Sequence, residues 1–359
     1  MPLFSAFHGK KVLITGHTGF KGSWLTQWLL LHGARVCGYS NEIPTEPSVF
    51  EALSLAAQIE DHRGDVRDYE HLLKVFQEFQ PEIAFHLAAQ PLVRESYRNP
   101  LLTFDVNVQG TANFLECLKQ VKSLRAALVI TTDKVYEPAP EPRDHVETDR
   151  LGGNDPYSAS KAAAELVFSS YLKSFFSEGD SPSIASVRAG NVIGGGDWSP
   201  DRLIPDLIRA WKAGNAVSIR FPEAVRPWQH VLEPLSGYLT VATYLLQNDS
   251  KVSGSSFNFG PVHTHDANVQ KVVSLTQKAF SNLKVEITPE QRKGFKETHY
   301  LRLSWQKAQK ILNWSPKLSL DESIDWTLDW YRDFYAGKNS TELTKNQIKA
   351  YESRMEAHV

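Results

Sequence analysis

Residues 11–22 read Lys11-Val12-Leu13-Ile14-Thr15-Gly16-His17-Thr18-Gly19-Phe20-Lys21-Gly22. A short apolar strand runs into three glycines at i, i+3 and i+6. A helix pattern follows, carried by Trp24, Leu25, Trp28 and Leu29. Glycines placed between a strand and a helix let the backbone close on a pyrophosphate at the helix N-terminus. A glycine-rich turn without a ligand is the competing reading, and the strand and helix flanks weigh against it.

The pattern repeats outward from this stretch. Strand candidates at 34–39, 60–65, 82–87, 126–131 and 183–188, apolar except for the polar 60–65, alternate with amphipathic stretches near 22–32, 69–79, 100–119 and 157–176. Short strands alternating with helices predict an α/β fold, a Rossmann-type doubly wound parallel sheet. Ligands of such sheets lie outside the carboxyl ends of the strands. Gly16, Ala88, Thr132 and Asn191 each follow a strand candidate and are expected to converge there. Beyond residue 189 the chain becomes richer in Pro, Trp and Arg. The expected organisation is a dinucleotide-binding domain over 1–189 and a smaller, intertwined substrate lobe over 190–337 that crosses back near 230–260. A polar tail, 338–359, carries a helix near 343–356.

Composition narrows the function classes. The 359 residues are 42% hydrophobic and 22% charged, enough for a sizeable core. A net charge of −2 indicates no nucleic-acid or membrane partner. Cys37 and Cys117 make no disulfide framework and read as reduced core residues. No apolar run approaches ~18 residues, and 1–9 lacks the apolar stretch of a signal peptide, so a cytoplasmic protein is expected.

The chemistry concentrates in 131–161. Thr131-Thr132-Asp133-Lys134-Val135-Tyr136 ends the apolar run Ala126–Ile130, and Asp155-Pro156-Tyr157-Ser158-Ala159-Ser160-Lys161 follows. Tyr157 and Lys161, at i and i+4, share one helix face. An ammonium held there favours the phenolate, so Tyr157 can take a proton from a sugar hydroxyl. Alone, Tyr-x-x-x-Lys fits any amphipathic helix; the glycine turn upstream and Thr132 at the strand end give it meaning. Asp133 and Lys134 form a second acid/base pair that a simple dehydrogenase does not need.

Other candidates surround this centre. Asp65 and Val66 follow the third strand, and Leu87, Ala88, Ala89 and Gln90 follow the fourth, where small residues let the backbone approach a cofactor. The second strand ends in Tyr39 and Ser40, with Glu42 beyond. A carboxylate at that end takes the ribose hydroxyls and disfavours NADP, and its absence leaves NAD and NADP both open. Within the glycine turn, either Lys21 pairs with the pyrophosphate or His17 crowds it. Asn107, on an apolar helix, needs partners and is expected to brace the strand carrying Thr132. In the second lobe Asn191 and Asp197 flank Gly194-Gly195-Gly196, and Arg202, Arg220, Arg226 and Tyr300 are candidates for sugar or phosphate contacts. His230 reads as a core histidine. His263-Thr264-His265-Asp266 lacks a partner set with metal-ligand spacing, so no metal is expected. It reads as a turn before a helix near Val269, capped by Asp266. Trp314, Trp326, Trp330 and Tyr331 read as core.

These runs, with Arg188-Ala189-Gly190-Asn191-Val192-Ile193-Gly194-Gly195-Gly196-Asp197-Trp198 and Arg226-Pro227-Trp228-Gln229-His230-Val231, resemble the extended short-chain dehydrogenase/reductase family over roughly 8–335. Within its nucleotide-sugar branch they are similar to the CDP-glucose 4,6-dehydratase type. The dTDP-glucose dehydratases carry Asp-Glu where this chain has Asp133-Lys134, and some UDP-N-acetylglucosamine dehydratases also carry Asp-Lys. The resemblance implies NAD as cofactor, held by Gly16, His17, Thr18, Gly19, Phe20, Lys21, Gly22, Tyr39, Ser40, Asp65, Val66, Leu87, Ala88, Ala89, Tyr157 and Lys161, with Asp65 at the adenine. It implies Thr132, Asp133, Lys134, Tyr157 and Lys161 as catalytic residues. Gln90, Asn191, Asp197, Arg202, Arg220, Arg226 and Tyr300 would meet a nucleotide sugar. It further implies a homodimer or higher homo-oligomer through the helices near 100–119 and 157–176, and a product used for deoxyhexoses of O-antigen lipopolysaccharide. An epimerase or reductase of the same fold, and a silent dinucleotide-binding regulator, are the remaining readings. Asp133/Lys134 argues against the first and the Thr132/Tyr157/Lys161 set against the second.

Overall fold

Seven strands, each parallel to its neighbours, form the central sheet: β1 (Lys11–Thr15), β2 (Arg35–Ser40), β3 (Glu60–Arg63), β4 (Ile83–His86), β5 (Ala126–Ile130), β6 (Ser183–Ala189) and β7 (Ser256–Phe259). Their order, β7-β6-β5-β4-β1-β2-β3, reverses direction between β1 and β4 and opens a crevice there. The computed structural model describes residues 4–177, 181–262, 268–288 and 301–357. The doubly wound α/β sheet expected from the alternation is present, with β7 as an additional edge strand. Its Ser-Phe-Asn-Phe run is too short and too polar to stand out in the sequence. Asn258 is buried there because its amide bonds Tyr136 and the His145 carbonyl.

Burial on both faces explains the apolar runs. All five residues of β5 are buried. Along β1, Val12 and Ile14 face the Phe20–Leu31 and Leu232–Leu246 helices, while Leu13 faces Phe76, Phe114 and Leu115 on the other side. Cys37 and Cys117 are both buried and free. The Tyr69–Phe79 helix shows the local logic: the Asp68 carboxylate accepts from His71 N, Leu72, Val75, Phe76 and Phe79 form the buried stripe, and Gln80 closes it in the left-handed conformation.

Three features differ from the sequence reading. The stretch 100–119 is two helices, Pro100–Phe104 and Gly110–Lys119, separated by a π-helical turn at Asp105–Gln109 that turns Asn107 inward. The Val269–Ala279 helix is capped by Asn268, whose side chain accepts from Lys271 N. His263, His265, Asp266 and Tyr300 lie outside the described residues. The C-terminal helix is longer, Ser340–Glu356, and is anchored by Thr344, Ile348 and Tyr351, spaced four and three apart. Trp28 meets the Tyr351 ring edge-on at 6.0 Å and donates through Nε1 to Glu352 at 2.6 Å. The last helix is therefore packed on the first.

After β6 the chain leaves the sheet and then returns. Gln229–His230 pairs with Val192–Ile193, the Leu232–Leu246 helix packs on β5 and β6, and β7 completes the sheet. Glu233 on that helix is buried and accepts from Tyr351 Oη at 2.6 Å and from the amides of Lys317 and Leu318 at 2.8 and 2.6 Å. Burial pushes its pKa up to about 7, against the pull of these donors. Between the ordinary value of 4.5 and about 7 the folded protein holds a proton that the unfolded chain has lost. This group's contribution to stability therefore declines as pH rises through that window. Denaturation of the wild type and Glu233→Gln at several pH values should show this decline in the wild type and its loss in the variant.

Candidate active site

The carboxyl ends of β1, β4, β5 and β6 meet at the crevice. At Gly16 the backbone has φ +76°, and an added Cβ would lie 2.6 Å from Ala88 N. At Gly22 an added Cβ would lie 2.1 Å from Gly16 O. Only glycine fits either place, so the turn closes against the β4 exit loop and leaves the Phe20–Leu31 N-terminus with its amides unoccupied by side chains. That cradle suits a dinucleotide pyrophosphate.

The neighbouring side chains sort themselves by their bonds. His17 is fully buried beneath β2, with Nε2 2.8 Å from Asp61 and Nδ1 3.1 Å from Ser40 Oγ. Burial holds its pKa below the ordinary value. It packs into the sheet and does not crowd the cradle. Thr18 Oγ1 donates to Glu42 O at 2.6 Å and ties the turn to the chain after β2. Tyr39, fully buried, donates to Asp65 O at 3.0 Å. It therefore holds the 64–66 turn. Asp65 is bridged by Arg67 and borders a small cleft with Asp68, Asp105 and Gln109. Val66 is buried under Gly110. Leu87, Ala88 and Ala89 are partly exposed at the crevice, as is Phe20.

A cavity of about 1040 Å³ collects the chemistry. Thr132, Asp133, Lys134 and Tyr157 line it with Lys21, Asn191, Asp197, Arg202, Arg220 and Arg226. Tyr157 enters from the first turn of the Pro156–Phe175 helix, which Asp155 caps by accepting from Ser158 N at 2.9 Å. Thr132 hydrogen-bonds the Tyr157 phenol and donates to Asp133 Oδ1 at 2.9 Å. Lys134 Nζ stands 3.4 Å from the same carboxylate oxygen. The other oxygen, Asp133 Oδ2, is buried without a partner beside Gly190, where any Cβ would collide with it. It is thus a buried carboxylate oxygen whose lone pairs meet no donor.

Burial raises the Tyr157 pKa to about 12, and the Thr132 bond only partly offsets it. Burial, reinforced by the Lys21 charge, lowers Lys161 to about 7. Lys161 Nζ donates to Ile130 O at 3.4 Å. The phenol is therefore protonated at neutral pH until positive charge arrives beside it. The Lys21 side chain leaves the glycine turn and lines the cavity, with Nζ 6.0 Å from the centre of the Tyr238 ring. Burial, then Arg202, lowers it to about 8, with Asp133 opposing.

Two expected substrate residues have other partners. The Gln90 amide bonds Leu92 O and N and Thr103 Oγ1, outside the cavity. Asp197 accepts from Ser199 N at 3.0 Å and from Arg202 Nη1 at 2.9 Å, so it orients Arg202. Asn107 braces the β4 exit loop and the catalytic helix, through Gln90 and Ser160, rather than β5. His230 lies between Trp24 and Trp326, kept neutral by burial. Sequence reasoning missed Tyr238, whose buried hydroxyl has no partner near Tyr157, and the Arg94–Asp201 contact at 2.7 Å across the cavity rim. An apolar-helix tyrosine and two surface-like charges carry no linear signal.

The model of the GDP-mannose 4,6 dehydratase family matches residues 13–327. The chain belongs to this family. A CDP-glucose 4,6-dehydratase of Salmonella typhimurium is 45% identical over 356 residues, covering 97% of both chains. Among solved structures, the Thermus thermophilus UDP-glucose 4-epimerase complexed with NAD shares 27% identity at TM-score 0.75, covering 90% of this chain and 99% of the other. The Bacillus anthracis dTDP-glucose 4,6-dehydratase complexed with NAD shares the fold at TM-score 0.73 and 22% identity, covering 90% and 97%. Family membership makes the phenol of Tyr157 the group to remove. Tyr157→Phe should lower turnover at least ~10²-fold, the lower scale of general acid–base catalysis, while cofactor affinity stays near wild type. Near-normal turnover of a folded variant would exclude the phenol from the reaction.

Proposed function

We infer that the chain is an NAD-dependent hydro-lyase, a CDP-glucose 4,6-dehydratase that forms CDP-4-keto-6-deoxy-D-glucose and water. The observation that carries this reading is the acid/base pair of buried Asp133 and half-buried Lys134, placed directly after Thr132 and facing the same cavity as Tyr157. The near full-length relative of Salmonella supports it. The Gly16–Gly22 cradle, with Tyr157 and Lys161, would hold NAD, which would supply a reversible hydride acceptor.

The residues divide the work. Tyr157, polarised by Thr132 and by cationic charge, takes the C4 hydroxyl proton as the C4 hydride departs. The C4 ketone acidifies the C5 hydrogen. Lys134 takes that proton, and Asp133 delivers one to the C6 hydroxyl, which leaves as water; the proton gained by Tyr157 makes good the one Asp133 gave up. Hydride then reaches C6 and a proton returns to C5, so the only net change is loss of water. Asn191, Arg202, Arg220 and Arg226 line the wall where the diphosphate would lie, and guanidinium groups suit it. The product is one that deoxyhexose synthesis for surface polysaccharide such as O-antigen would consume, and a cytoplasmic setting accords with that. No helix among the described residues is long and apolar enough to cross a membrane.

The partner of this chain is a second copy. Leu101 is 81% exposed and Leu166 61%, with Leu102, Phe104 and Tyr97 beside Leu101. They lie on the Pro100–Phe104 and Pro156–Phe175 helices and the helix before them, which pack together. Apolar residues gathered on adjoining helices mark an interface, and the same helices in a second copy would cover them by two-fold symmetry.

Two outcomes are expected. Offered a panel of glucose nucleotides with catalytic NAD, the protein should remove one water from CDP-glucose, read by mass. An unchanged mass with inverted C4, or stoichiometric NADH, would overturn the dehydratase reading. Sedimentation should show a dimer that Leu101→Glu with Leu166→Glu converts to monomer; a monomeric wild type would overturn the interface.

A further inference from the structure

Glu165 stands one helical turn after Lys161, on the face that points into the protein. Its carboxylate is 2% exposed and meets the Arg188 guanidinium, 3% exposed, through two parallel bonds: Nε to Oε1 at 2.9 Å and Nη2 to Oε2 at 2.7 Å. Thr131 Oγ1 donates to the same carboxylate, and Ser186 Oγ donates at 2.9 Å. Arg188 Nη1 donates to Tyr136 Oη at 2.7 Å, and Tyr136 Oη donates to Asn258 Oδ1 at 2.7 Å. The Tyr136 ring lies flat on His145, at 4.8 Å and 2°.

This network has a particular address. Thr131 and Tyr136 are the two residues that bracket Thr132–Val135, the short segment carrying Asp133 and Lys134. Glu165 belongs to the helix that carries Tyr157 and Lys161. One buried guanidinium–carboxylate pair therefore joins both ends of the elimination segment to the helix that carries the hydride-step residues. The helix has its own twenty residues, an Asp155 cap and a packed face. The segment is a single 3₁₀ turn, held within itself by Thr132 and Lys134 side-chain bonds to Asp133 and by Thr132 Oγ1 accepting from Lys134 N at 3.4 Å, with no regular backbone ladder of its own. Burial alone would favour a protonated Glu165, but Arg188 and the two hydroxyls outweigh it and hold the group below the usual carboxylate range.

Stability is a poor account of such a pair, since well-packed apolar residues of equal volume commonly serve as well or better. Geometry is the better account. A planar guanidinium fork fixes distance and angle together, which an ammonium or an apolar contact does not. We propose that the Glu165–Arg188 pair is a positioning device that sets the Asp133–Lys134 segment against the Tyr157–Lys161 helix, so that water elimination depends on it more than the hydride step does. This rests on the dehydratase reading for its kinetic consequence and on geometry alone for its structural one.

The test uses Arg188→Lys, which keeps the charge and loses the fork, and Tyr136→Phe, which cuts only the far end of the network. Two readouts are taken. In the protein without nucleotide, amide hydrogen exchange at 132–136 should quicken in both variants, while exchange along Pro156–Phe175 stays at the wild-type rate. With NAD and CDP-glucose, kcat should fall, by roughly 10²-fold for a displacement near 1 Å, with KM unchanged. Reduced nicotinamide should accumulate on the enzyme, as it should in a Lys134→Met control that lacks the base. Equal slowing of hydride transfer and elimination, unchanged kinetics, or exchange that rises equally along the helix would overturn the proposal. If Arg188→Lys does not fold, Tyr136→Phe decides the matter by the same two readouts. If the wild type dehydrates no nucleotide sugar, the functional reading fails and the exchange measurement still decides the clamp.

Discussion

The main chain at Gly16 passes so close to Ala88 that no side chain fits between them, and much of the site follows from that approach. It closes the β1 exit against the β4 exit at the point where the sheet order reverses. The Phe20–Leu31 N-terminus then faces the crevice with free amides, where an anion is favoured. Because every strand runs the same way, β5 and β6 deliver Thr132, Asp133 and Asn191 to that edge as well. The Pro156–Phe175 helix, started by the Asp155 cap and Pro156, brings Tyr157 to the same edge.

Two acid/base systems share this edge, and their environments differ. Tyr157 and Lys161 are both shifted toward their neutral forms, chiefly by burial. A cationic ligand beside them would favour the phenolate, which couples base strength to cofactor loading. Asp133 is buried with one oxygen engaged by Thr132 and Lys134 and the other open toward Gly190. Lys21 adds a further cation between the two systems. A site built for hydride transfer alone has no evident use for the second pair, which is why it marks a dehydratase.

Much of the fold was legible because its signals are local and periodic. Five strands could be read as apolar runs, since the interior of a parallel sheet covered on both faces needs apolar side chains on both; β3, at the sheet edge, is the polar run Glu60–Arg63, with its residues exposed or half-buried. Thr132, Tyr157 and Lys161 stood out through spacing at a strand end and along one helix turn. β7 did not, because its Asn258 is tolerated only by partners far along the chain. The π turn at Asp105–Gln109 was equally silent, since it serves a hydrogen bond from Asn107 to Ser160 across the fold.

The sequence by itself determined most of the sheet, the glycine cradle and the candidate reacting groups, because strand burial, turn conformation and helix spacing act over a few residues. Tertiary structure alone decided which polar groups face the cavity and which are engaged elsewhere. His17 turned beneath β2, Tyr39 bonded Asp65, Gln90 bonded its own loop, Asp197 took up Arg202, and Lys21 entered the catalytic cavity. A polar side chain goes where its hydrogen bonds can be satisfied, and the partners that satisfy it are set by the fold, not by its neighbours in the chain.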